Sequence, residues 1–142
     1  MSKPLKPAPK SQVVSIQLQE QQYKRLQSFF QQLNLTPSET AALLIEEALR
    51  QSEFGYIEFR SSPYVRQAYI QGSRVTVWHV IMIGRGCDMD VHRIAEHLGW
   101  PDFKVQAALN YYKAFPTEID AALEENDSFD FEKLSRMFPL CS

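Results

Sequence analysis

The stretch Val13-Val14-Ser15-Ile16-Gln17-Leu18-Gln19 decides how the chain is read. Apolar and polar residues alternate, so an extended backbone puts Val14, Ile16 and Leu18 on one face and Val13, Ser15, Gln17 and Gln19 on the other. The pattern predicts one short strand. From Glu20 to Leu33 the period changes: Tyr23, Leu26, Phe30 and Leu33 recur at three- and four-residue steps, which an α-helix gathers on one side. Thr36-Pro37-Ser38-Glu39 then predicts a second helix, with Thr36 as cap, Pro37 in the first turn and Glu39 bonding back to the Thr36 amide. Ala41, Leu44, Ile45, Ala48 and Leu49 form its expected buried stripe.

One strand and two helices cannot satisfy themselves. A lone strand leaves its amides and carbonyls unpaired, and about fifty residues enclose little core. A symmetric homodimer meets both needs, because two strands pair antiparallel and four helices share one core. The outer face of such a ribbon displays Ser15 and Gln17 twice. A two-stranded ribbon fits the major groove of double-stranded DNA, where Gln bonds adenine bidentately and Ser bonds several base edges.

On these residues the chain, from about 12 to 50, resembles the ribbon-helix-helix family of dimeric repressors and antitoxins. The resemblance implies base reading by Val13, Ser15 and Gln17, and a phosphate held at the second helix's start by Thr36 and Ser38. Any helix start offers unpaired N–H groups and partial positive charge for that role. Two departures stand out: the strand face lacks Arg or Lys, and Asn34 occupies a position where the family often has glycine. Phosphate attraction then falls to Lys10 and its neighbours Lys3 and Lys6. The alternative for the whole segment is an edge strand with two generic core helices and a solvated polar face.

The 142 residues carry a net charge of -2, with 44% hydrophobic and 23% charged residues, which suits a globular chain. The average conceals an asymmetry. Residues 1–50 hold six Lys/Arg against four acids, so residues 51–142 carry nine against thirteen and sum to -4. Met1 to Ser11 interleaves Pro4, Pro7 and Pro9 with lysines and is expected to be a disordered basic arm or a solubilising leader. No stretch is apolar enough to span a membrane, and Cys87 and Cys141 form no CxxC pair, so reduced thiols and a cytoplasmic location are expected.

The pattern breaks near Gln51 to Gly55, which sets expected domains at 12–53 and 54–125, with a tail at 126–142. Tyr56 to Arg60, Gln67 to Ile70 and Arg74 to Val77 predict short strands, the last two joined by a turn at Gln71-Gly72-Ser73. Helices are predicted at Trp78 to Ile83, Val91 to Leu98, Phe103 to Ala114 and Pro116 to Glu125, with Asp90 and Asp102 as caps. The expected fold class is therefore mainly α, a ribbon-helix-helix module followed by a small domain with a short β-hairpin.

Ala68-Tyr69-Ile70-Gln71-Gly72-Ser73-Arg74-Val75-Thr76-Val77, with Ile94-Ala95, Val105 to Leu109 and Pro116 to Asp120, resembles domain-of-unknown-function family 433. That resemblance implies a helix-turn-helix-like array and an antitoxin of a type II toxin-antitoxin pair, often beside a PIN-domain ribonuclease toxin. If Phe103 to Ala114 were a recognition helix, Lys104, Gln106 and Asn110 would be its exposed polar residues, forming with Arg74 a second DNA or partner surface. The acidic balance of this half equally suits a protein-binding unit. For Arg74 the alternative is bracing of its own turn. Phe129, Phe131, Leu134, Met137 and Phe138 are spaced apolar anchors, either for a toxin groove or for packing on the chain itself.

His92 and His97 are five residues apart and fall on different helix faces, so with His79 and Cys87 they make no metal-ligand pattern. Neither a catalytic constellation nor a glycine-rich phosphate loop is recognisable, so no cofactor and no enzymatic activity are expected. The leading expectation is a dimeric, operator-binding antitoxin. The others are a protein-interaction adaptor and a transcriptional regulator without a toxin.

Overall fold

A computed structural model describes residues 11–62 and 65–137, with side chains to Asn126. The elements follow in the order α1 (Glu20–Leu33), α2 (Pro37–Glu53), β1 (Ile57–Ser62), β2 (Val65–Ile70), α3 (Val77–Arg85), α4 (Val91–Leu98), α5 (Asp102–Ala114) and α6 (Pro116–Met137). The architecture is mainly helical with one two-stranded antiparallel sheet, and contacts divide it into units 1–40 and 41–142.

In the first unit, residues 11–19 form no strand and are all exposed. Among the described residues no other segment forms a ladder with the expected alternation. Helix α1 starts where the Gln19 amide donates to Gln22 Oε1 at 2.9 Å, and ends at Asn34, whose φ of 57° is left-handed. Asparagine tolerates that conformation better than most residues, which accounts for its presence where glycine is usual. No residue of α1 is buried, although Tyr23 and Phe30 stack edge to face at 6.1 Å.

The second unit encloses the core. Ile70, Val77, Val80, Ile81, Ile83, Ile94, Val105, Ala108 and Tyr111 are fully enclosed, so α3 is buried on nearly every side between the sheet and α4 to α6. Thr76 caps α3 and Asp90 caps α4, each accepting the N–H three residues on. Gly84 is closely packed: a Cβ there would lie 2.8 Å from Met89 Sδ and 3.1 Å from Ile94 Cδ1, so both side-chain ends would have to shift. The α3–α4 link closes through Asp88 and Met89, both at φ 54°.

Several expectations are corrected. The hairpin pairs Ile57 with Ile70 through Ser62 with Val65, so β1 is the partner of β2. Arg74 to Val77 contributes only the bridge Tyr69–Thr76, because Thr76 is already committed as the cap of α3. The expected stripe of α2 does not form a buried face: Ile45 and Leu49 are 48% and 52% exposed, while Glu47 is buried at 5%. Arg66 clasps Glu47 with Nη2 at 2.7 Å and Nε at 3.1 Å, and this paired carboxylate turns α2 over. Arg50 bonds Glu46, Glu118 and Tyr111, and by contacts α2 from Ala41 onward groups with the second unit.

The tail expected from Asn126 is, to Met137, a continuation of α6. Cys87, expected as a reduced thiol, is disulfide-bonded and fully buried. Among the described residues no helix is long and apolar enough to cross a membrane, and no His/Cys/Asp/Glu group could hold a metal ion.

Candidate nucleic-acid interface and a second surface

The candidate base-reading residues Val13, Ser15 and Gln17 lie on the exposed segment before α1, and Val13 is 94% exposed. Lys10 lies outside the described residues. The opposite edge of the same segment is also uncovered, with Val14 at 78%, Ile16 at 56% and Leu18 at 42%. Water therefore meets both the polar and the apolar faces in the single chain. Alternating apolar side chains gain nothing from that exposure, at ~25 cal/mol per Å² of surface left in water.

At the start of α2 the capping box is complete. Thr36 Oγ1 accepts the Glu39 N–H at 3.1 Å, and Glu39 Oε1 accepts the Thr36 N–H at 2.9 Å. Pro37 has no N–H, and the Thr40 amide donates to the Thr36 carbonyl. Ser38, exposed, is left with its amide and hydroxyl for an anion, while Glu39 brings a negative charge to the same turn. An anion there meets fewer donors and less positive potential than an uncapped helix start offers.

In the second unit the four residues expected to share a surface are not equivalent. Arg74 is exposed and makes no hydrogen bond or ion pair among the described residues. Its expected bracing role belongs to Arg60, which donates to the Ser73 carbonyl at 2.6 Å, and to Glu58, which accepts the Gly72 N–H at 3.0 Å. The hydrogen bonds from Arg60 and Gly72 hold the Glu58 carboxyl below its ordinary pKa. Lys104 is half-buried, its Nζ 5.7 Å from the Trp100 ring centre. Gln106 and Asn110 are exposed and bonded to each other at 2.9 Å.

Those two amides line an open groove of about 910 Å³ whose other walls include Glu53, Tyr56, Asp102 and Phe103. The rings of Tyr56 and Phe103 lie 4.9 Å apart, and both are about half exposed. Tyr56 holds φ 63°, a backbone conformation unfavourable for a bulky side chain. Sequence reading placed Tyr56 in a strand and Phe103 in a helix, and brought neither to a site. One signal was available: Phe103 falls off the stripe Val105, Ala108, Tyr111 that α5 buries.

Two further networks were not anticipated. Burial by itself would lower the Arg50 pKa, but hydrogen bonds to Glu118 and Glu46 outweigh it and raise it, while burial and the Glu118 hydrogen bond raise Tyr111. Burial also pushes His79 down to about 4, and its Nδ1 accepts the Thr76 N–H at 3.2 Å, which a neutral ring does best. Phe129, Phe131, Leu134 and Met137 lie on the α6 backbone, but their side chains, like Phe138 entirely, fall outside the described part of the chain. No protein-family model, no curated protein and no solved structure matches this chain.

Proposed function

We propose that the protein is a sequence-specific DNA-binding homodimer, an antitoxin that represses its own operon and neutralises a ribonuclease toxin. The supporting observation is that patterned apolar residues are uncovered in each of the two units. Val14, Ile16 and Leu18 are exposed on the N-terminal segment, and Ile45, Ala48 and Leu49 are exposed on α2. A ladder with its own symmetry mate satisfies the backbone of residues 13–19 and buries their apolar edge, leaving Ser15 and Gln17 outward. Neither side chain carries charge, so the ribbon supplies readout and the basic arm supplies affinity.

The test is a gel-shift titration with duplex DNA from upstream of the protein's own reading frame. Ser15→Ala combined with Gln17→Ala is expected to lower preference for that duplex over a scrambled one by roughly tenfold or more. Lys10→Ala is expected to weaken both duplexes alike and to flatten the salt dependence. Unchanged preference in the double variant would end the ribbon reading, and identity of the adjacent reading frame tests the toxin half.

A second reading is a protein-interaction adaptor in which the dimer serves assembly only. The net charge of -4 over residues 51–142 and the acid-lined groove of the second unit favour it.

A further inference from the structure

The groove beside Tyr56 and Phe103 carries chemistry that the operator-binding reading does not use. Its charged lining consists of Glu53 and Asp102, with no lysine or arginine among the lining residues. Glu53 is the last residue of α2, where the helix dipole already concentrates partial negative charge. Among the described residues Asp102 pairs with the exposed His92, with Nδ1 and Oδ1 3.4 Å apart.

The same molecule shows what such surroundings hold. Arg50 sits with its guanidinium 3.7 Å from the centre of the Phe115 ring and 5.8 Å from that of Tyr111. Glu46 and Glu118 each accept from it at 2.7 Å. Two aromatic rings and two carboxylates thus form an arginine socket, filled from within. The groove is lined by the same residue types, with Tyr56 and Phe103 as rings and Glu53 and Asp102 as carboxylates, and among the described residues no lysine or arginine lines it. Gln106 and Asn110 add amide oxygens that accept from a guanidinium.

We propose that this groove is a docking socket for an arginine side chain on a partner protein. Arginine fits better than lysine, because a planar guanidinium stacks on a ring while its edge bonds a carboxylate. Phosphate is the wrong ligand for a site with two carboxylates, so the surface is set apart from DNA contact. The proposal goes beyond the operator-binding reading and holds whether or not that reading does.

Isothermal titration of the full-length protein with a synthetic peptide of alternating arginine and glycine tests it, beside matched peptides carrying citrulline or lysine. Citrulline keeps the shape and removes the charge. The arginine peptide is expected to bind, with citrulline weaker by roughly tenfold or more and lysine in between. Phe103→Ala and Glu53→Gln are each expected to weaken the arginine peptide by about fivefold, and unaltered urea unfolding midpoints establish that these exposed positions leave the fold intact. Equal binding of the citrulline peptide, indifference to both variants, or no heat at about 1 mM peptide would each overturn the socket. So would protection of the groove by duplex DNA that Phe103→Ala abolishes.

Discussion

Residues 11–33 and the second unit spend their apolar side chains in opposite ways. In the second unit Ile81, Val80 and Ile94 are wholly enclosed, and even the charged Glu47 is buried against Arg66. In residues 11–33 Val14 and Ile16 face water, and α1 has no buried residue. The difference teaches that an apolar pattern is not the same as a core. The second unit has closed its core and so specifies its own structure, whereas residues 11–33 carry a patterned apolar set that stays in water, the set on which the proposed dimer rests.

The largest expected effect falls on the buried ion pair. Arg66→Ala leaves the Glu47 carboxylate enclosed without its cation and is expected to cost about 4 kcal/mol in urea unfolding, while adding Glu47→Ala recovers part of it. A cost below about 1 kcal/mol would show that this carboxylate reaches water, and would break the contrast.

The next effect is a pH dependence. His79 has a folded pKa of about 4 against an ordinary 6.5, so the unfolded chain binds more protons between those values. Stability is full above about pH 6.5, falls as pH drops through that window, and levels off below about 4, with a loss of up to about 3 kcal/mol. His79→Gln keeps a capping-box side chain at that position and is expected to remove this part of the slope, as denaturation curves at pH 4 and 7 would reveal.

Thr36→Ala should be milder, costing about 1 kcal/mol through the lost cap, read from the same unfolding midpoint. Smallest is Ile16→Asp, expected to move the second unit's midpoint by less than about 0.5 kcal/mol. If the proposed dimer forms through residues 13–19, the same variant is expected to shift it to monomer in sedimentation velocity. A large drop in the midpoint would mean that residue 16 packs on its own subunit, and the comparison would have to be redrawn.

Local signals made much of the helical order legible. Thr36 with Glu39 and the cap at Asp90 predicted helix starts from spacing alone, and the caps form as expected. Pairing was less legible. The turn at Gln71-Gly72-Ser73 looked like a hairpin, but periodicity does not say which strand is the neighbour, and β1 won because Thr76 was taken by α3. The stripe of α2 misled for a related reason: Ile45 and Leu49 share a face by spacing, yet Glu47 and Arg50 find long-range partners on the other side.

By itself the sequence determined the caps of α2 and α4 and the alternation of residues 13–19, because these depend on residues within one or two turns of each other; the cap expected at Asp102 was misplaced, since Asp102 is the first residue of α5 and Pro101 precedes it without a side-chain cap. Tertiary structure alone decided that Arg66 meets Glu47, that Arg50 is bound by Glu118 across 68 positions, and that Tyr56 and Phe103 face one groove. Such meetings are set by how whole elements pack, and no spacing along the chain encodes which distant side chains a packed core brings within bonding distance.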